Sequence, residues 1–165
     1  APTPFVSSQI VTWLMGALTD RSWDDVTVAL PLILIGAAVL ATLGRSLDAL
    51  TLGEQAARSM GIAPWRLQAL VIIGVAFTVG ASVATAGVIG FVGLMVPHLV
   101  RPLAGNRPSA ILLPSALGGA LLLTLADTLV RIAPTISELR LGIAMSLLGG
   151  PFFLWLLISM RRQLA

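Results

Sequence analysis

The sequence predicts an all-α fold: a polytopic transmembrane helical bundle of about five spans with one short helix outside the bilayer. Three observations carry that prediction. The chain is 57% hydrophobic and only 10% charged, with a mean hydropathy of +0.99, whereas charged residues make up about a quarter of an ordinary soluble domain. Its apolar residues gather in runs close to the roughly twenty that a helix needs to cross a bilayer. All 10 of its cations are arginine, and most of them stand at the ends of those runs. That is the pattern of membrane topology, so the net charge of +3 and pI of 11.4 do not point to nucleic acid. The absence of cysteine excludes disulfide staples and thiolate metal sites.

Phe5 to Thr19 is moderately apolar but too short to span a bilayer alone, so it reads as the tail of a helix or as an interfacial segment. Asp20 to Asp25 is a polar turn, with Trp13 and Trp23 at headgroup level. Ala1 to Gln9 lacks the basic start of a secretory leader, and the chain is expected to begin inside a longer one or after processing. Val26 to Gly44 is the first clear span, with Pro31 near its start, where a missing donor is tolerated. Arg45 closes it.

Residues 45–65 form the most informative polar segment. Thr51-Leu52-Gly53-Glu54 has the spacing of a capping box, in which the threonine hydroxyl and the glutamate satisfy each other's backbone amides. A short helix is therefore expected from about Leu52 to Met60, with Gly61 as a left-handed stop and Pro64 preventing continuation. Such a helix is marginal alone in water and needs a surface to pack on; the plain alternative is a loop helix at the lipid surface.

Arg66 to Ala86 is the second span. Gly80 and Ala84, four apart, suit close helix packing, while Ser82 and Thr85 either bond an adjacent carbonyl or line a polar path. The third span starts at Gly87 and reaches Leu103. Gly87, Gly90 and Gly93 fall three apart, a slanted strip on a helix where another backbone could approach. Pro97 should kink or stop that helix near Val96, just before His98 and Arg101. GVIGFVG is not a dinucleotide loop, because its flanks are apolar on both sides and no strand precedes it. His98, alone beside a proline, reads as structural, with a haem or metal ligand as the alternative. No metal site is expected.

Gly105 to Pro108 is a turn. Ser109 is expected to cap a fourth span that reaches Ile132 with Gly118 and Gly119 on its packing face. Asp127 and Arg131, acid before base and four apart, share one face and pair favourably. The turn that follows carries Glu138 and Arg140. The fifth span, Leu141 to Ser159, contains Gly149-Gly150-Pro151.

Alternating the spans sorts the arginines. Arg45, Arg58, Arg66, Arg101, Arg107, Arg161 and Arg162 fall on one side, and only Arg21, Arg131 and Arg140 on the other. Short loops rich in arginine stay in the cytoplasm, so the Leu52 to Met60 helix should face inward and Arg131 with Glu138 outward. The sequence contains no lysine, hence no phosphate-loop lysine, and any ATP chemistry must belong to another chain.

The linked motifs AGVIGFVGLMVPHLVRPLAG, LLLTLADTLVR and GGPFFLWLL, in this order, resemble the membrane-spanning permease of ABC importers for iron-siderophore complexes, haem and cobalamin, the FecCD family. The resemblance runs from Thr12 to the last arginines and implies the C-terminal half of such a permease, with residues 1–165 as one transmembrane domain. It implies that SLDALTLGEQAARSMG is the cytoplasmic coupling element that fits a groove on the ATPase, with Leu52, Gly53, Glu54, Ala57, Arg58 and Gly61 at that contact. It further implies that Arg131 and Glu138 meet a periplasmic or extracellular substrate-binding protein, and that Gly87, Gly90, Gly93, Pro97 and His98 serve the translocation path or its helix packing. The implied partners are an ABC ATPase subunit dimer, a second permease copy or fused half, and the lipid of the inner membrane. No catalytic residue and no cofactor are implied. Three departures bear on the outer turn and the choice of binding protein: Val88 stands where the family usually has proline, Leu139-Arg140 where it has leucine-proline, and Gly150 where it commonly has alanine. The rival readings are half of an ion-coupled secondary transporter, with Asp127 or His98 carrying a proton, and a structural anchoring subunit.

Overall fold

The computed structural model describes residues 3–133 and 140–164. Among them there is no strand, and the regular structure is eight helices: α1 (Pro4–Leu14), α2 (Trp23–Thr42), α3 (Gly44–Leu50), α4 (Glu54–Ser59), α5 (Pro64–Ala86), α6 (Val92–Ala104), α7 (Pro108–Ile132) and α8 (Leu141–Leu164). Four of these, α2, α5, α7 and α8, are long and apolar enough to cross a membrane. They take the places expected for the first, second, fourth and fifth spans.

The third segment is built differently. Residues 87–90 are not helical, and Gly87 has a φ of +76°. Phe91 is left-handed at φ +67°, and helix begins only at Val92. At 13 residues, α6 is about 20 Å long, short of the ~30 Å hydrocarbon core. The glycine strip inferred from three-residue spacing therefore does not exist, since Gly87 and Gly90 precede the helix and only Gly93 lies in it. Nor does the helix stop at Val96: it continues through Pro97 and Pro102 to Ala104. Packing along α7 and against α8 holds the proline-bearing turns in helical form, a tolerance that neighbouring helices give to proline in a membrane bundle.

Packing divides the bundle into two groups. α2 lies along α5, and α6, α7 and α8 pack on one another. The α2–α5 crossing is set by Gly36 and Gly74, for a Cβ on Gly36 would lie 2.6 Å from the Gly74 carbonyl oxygen. Gly80, which the spacing had suggested for this task, meets nothing within 4 Å, and Ala84 is exposed. Gly118 and Gly119 do face α6, beside Val96 and Val92. In lipid such close approach replaces the hydrophobic drive that water supplies. At the other start, Asp25 reaches back to accept from the Ser22 amide at 2.9 Å, one half of a capping arrangement that opens α2.

The core of the second group is Met95, Ala126, Leu141 and Met145, with Phe91 and Phe152 against it. Phe91 sits over Gly149 of α8, where an added Cβ would lie 2.2 Å from its Cγ, whereas Gly150 meets nothing within 4 Å. Gly149→Ala should therefore cost about 1–3 kcal/mol, because the near end of the ring cannot swing away. Gly150→Ala should gain up to ~1 kcal/mol of helix propensity. Thermal unfolding of the two purified variants in detergent checks this; equal shifts would mean that Phe91 does not rest on Gly149.

Candidate functional site

The arginine-rich end carries an ordered elbow, α3 and α4, between the first two spans. Its local chemistry is not the expected capping box. Thr51 closes α3, and its hydroxyl donates to the Asp48 carbonyl at 2.6 Å. It is therefore turned away from α4. The N-cap of α4 is Gly53, at φ +101°, and Glu54 pairs with Arg58 at 3.8 Å instead of reaching back. A helix that starts as early as Gly44 consumes Thr51 as its end, which the Thr51–Glu54 spacing alone could not disclose. The expected helix from Leu52 to Met60 is accordingly reduced to Glu54–Ser59.

The stop does follow the expected rule. Gly61 is left-handed at φ +82°; its amide donates to the Arg58 carbonyl and the Ile62 amide to the Ala57 carbonyl, both at 3.0 Å. This is a Schellman stop, and Pro64 then starts α5. Ala57 is fully buried, at 0% exposure, so it anchors the elbow and does not present itself to a partner. Leu52, Met60 and Trp65 are instead the exposed apolar side chains there. Arg58, Gly61 and Trp65 line an open hollow of ≈ 460 Å³, and the Arg66 guanidinium lies 5.2 Å from the Trp65 ring centre. The six residues Leu52, Gly53, Glu54, Ala57, Arg58 and Gly61 thus share one elbow.

One residue of this end escaped sequence reasoning. Asp48 on α3 accepts from the Ser109 amide at 2.9 Å and from the Ser109 hydroxyl, across 61 positions of chain. Ser109 does not cap α7; the cap is Arg107, with Pro108 in the first turn. A carboxylate from another helix satisfies the free amide at the start of α7. The Ser109 hydroxyl and amide bonds, helped by the Arg107 charge, hold the Asp48 carboxyl below its ordinary range. A lowered folded-state pKa stabilises the fold above the ordinary carboxylate value and loses that contribution as pH falls through the folded one. The clasp is therefore ionised at any neutral or mildly acidic pH. No local signal marks it, because its halves lie so far apart in the chain.

At the opposite end three backbones meet. The Ala17 amide donates to the Ala86 carbonyl at 2.8 Å, the Val88 amide to the Trp13 carbonyl at 3.3 Å and the Gly142 amide to the Gly16 carbonyl at 3.0 Å. Gly87 belongs to this junction, where a Cβ would lie 2.4 Å from the Trp13 oxygen; Gly90 and Gly93 meet nothing within 4 Å. Two of the departures acquire a physical meaning here. A proline at Val88 would lack the amide that bonds Trp13, and the Arg140 guanidinium donates to the Thr12 carbonyl at 2.9 Å.

Arg131 bonds Asp127 at 2.7 Å while its side chain stays 53% exposed. Glu138 lies outside the described residues. Pro97 and His98 are half-buried, and His98 meets the Phe152 ring edge-on, with 6.0 Å between centres. Among the described residues no group of three or more His, Cys, Asp or Glu could hold a metal ion.

Comparison with known proteins gives one consistent answer. The FecCD transport family matches residues 3–159. The hemin transport system permease protein HmuU of Yersinia pestis is 41% identical over 155 residues, covering 94% of this chain and 46% of that protein. The vitamin B12 import system permease protein BtuC of Vibrio cholerae is 44% identical over 153 residues, 91% of this chain and 45% of that one. The Fe(3+) dicitrate transport system permease protein FecD of Escherichia coli is 40% identical over 150 residues, 90% and 47%. The chain spans about half the length of the curated relatives it matches. Among solved structures, an inward-facing conformation of a metal-chelate type ABC transporter superposes with a TM-score of 0.83 at 31% identity, covering 96% of this chain and 52% of that one.

Proposed function

Because the chain belongs to the FecCD transport family, we propose that it forms the C-terminal half of the membrane permease of an ATP-driven importer for an iron-siderophore, haem or cobalamin type cargo. It is a multi-pass membrane protein, and the reading puts it in the inner membrane. The observation that carries the reading beyond the family is the ordered elbow at the arginine-rich end. Short arginine-rich loops stay inside, so the elbow faces the cytoplasm.

An ATPase dimer there presses on exposed Leu52, Met60 and the Glu54–Arg58 pair, with Ala57 and the Gly61 stop holding the lever to the spans. The chain itself supplies no nucleotide chemistry. Nucleotide-driven closure of the dimer moves the elbow as a rigid body, and the spans rock about a central passage. A second permease copy or a fused half closes that passage. The largely exposed apolar faces of α2, α5 and α7 require such cover, or lipid.

On the outer side, Arg131 and Glu138 receive the binding protein. Exposed charges of this kind steer encounter and set register more than they add affinity. Arg131→Glu should slow binding-protein association about tenfold at low ionic strength, and the difference should shrink as salt is raised. Stopped-flow association at two salt concentrations measures it, and an unchanged rate removes the docking role.

The whole reading is tested by reconstituting the full-length protein with its ATPase and binding protein in liposomes and following uptake of haem, cobalamin and a ferric siderophore. Uptake that needs ATP is expected for one of them. Uptake driven by an ion gradient without ATP would establish the secondary-transporter alternative instead.

A further inference from the structure

The two helix groups, α2 with α5 and α6 with α7 and α8, are joined at the elbow end through α3, which packs on α7 as well as on α4 and α5. Residues from α2, α5 and α7 line an apolar cleft of ≈ 580 Å³, with Arg45 at its elbow end. α3 is therefore the bridge across that cleft. The bridge is tight: Gly44 lies under Ser109, with room for a Cβ only at 3.1 Å from the serine Cβ. Asp48 then fastens it, accepting from both the amide and the hydroxyl of Ser109. Among the described residues this is the only hydrogen bond between two side chains more than four positions apart.

We infer that Asp48 is a positioning residue for transport, whose bonds to Ser109 carry displacement of the elbow across the cleft into α7 and so into the α6–α7–α8 group. The inference rests on the permease reading. The elbow is continuous in chain with α2 and α5, so those helices follow it by covalent connection. α7 has no such connection. If it is to move with the elbow it must be held by contacts, and a charge-assisted pair of bonds to the first turn of α7 is directional where apolar packing is not. Loosening the clasp lets α3 slide over Ser109, and the motor's stroke reaches one group without the other.

The test measures cargo imported per ATP hydrolysed by the full-length protein in liposomes with its ATPase and binding protein. Asp48→Ala and Ser109→Ala should each lower that ratio at least about fivefold, within the usual range of coupling between sites, while ATP hydrolysis continues. Asp48→Asn should restore it to within about twofold, because an amide keeps an acceptor for the Ser109 amide and a donor to its hydroxyl. An unchanged ratio in Ser109→Ala overturns the inference. So does a parallel fall of hydrolysis and import, which is what a merely structural role would give. Absence of ATP-dependent import in the unmodified protein would instead strike the permease reading, and the two failures are told apart by that control.

Discussion

Gly142→Ala should lower the melting temperature of the purified protein by about 6–12 °C, the shift that ~3 kcal/mol produces in a chain of this size. A Cβ at that position would lie 2.4 Å from the Met15 carbonyl oxygen, 2.9 Å from its carbon and 3.1 Å from the Val88 oxygen. All three are backbone atoms, so no rotamer change relieves the overlap, and the cost falls at or above the upper end of overpacking. Separation of the strands of chain that collide would also break the bond from the Gly142 amide to the Gly16 carbonyl. Gly87→Ala should do comparable damage, since its φ of +76° adds backbone strain to a Cβ placed 2.4 Å from the Trp13 oxygen. Gly80→Ala and Gly93→Ala are the controls, both in helix with open space around them. They should hold or raise the melting temperature. Equal losses at all four positions would mean that the three backbones do not converge at this junction.

The contrast among those glycines also marks how far the sequence could be read. Hydropathy and arginine placement locate the spans because crossing a bilayer constrains every residue of a segment at once. Gly87 and Gly90 look like helix-packing glycines under the same logic. What defeats that reading is non-local: residues 87–90 can leave the helix only because the Val88 amide finds Trp13, 75 positions back by number, and the Ala17 amide takes the Ala86 carbonyl. Unwound backbone in a membrane protein needs protein partners, and spacing does not reveal them. The elbow shows the same division. Gly61 and Pro64 are local punctuation, and they end α4 and begin α5 as their chemistry requires. Thr51 and Glu54 have the right spacing for a cap, but Thr51 is already committed to α3. Asp48 carries no local motif at all, and only the meeting of α3 with α7 reveals its partner. The family, by contrast, was legible in linked motifs, because several separate stretches had to agree in order.

The elbow's dependence on one small buried side chain gives the second large prediction. Ala57 has no exposed surface and sits in the six-residue α4, which packs on α3 and α5. Ala57→Glu would force an unpaired carboxylate into that contact, and the group must reach water because burying it alone is too costly. α4 can release it only by lifting away, which strains the Schellman stop, since the Ala57 carbonyl accepts the Met60 and Ile62 amides. The spans themselves gain no charge and keep their contacts with one another, so the protein should still fold in the membrane. We expect co-purification of the ATPase and ATP-driven uptake both to fall at least about tenfold, a loss equivalent to ~1.4 kcal/mol or more. Glu54→Ala is the comparison on the same helix. Its pair with Arg58 is exposed on both sides and 3.8 Å long, so its loss should cost no more than about 0.5 kcal/mol and leave uptake within about twofold. If Ala57→Glu retains the ATPase and transports normally, α4 is not the lever, and the proposed coupling through this elbow falls.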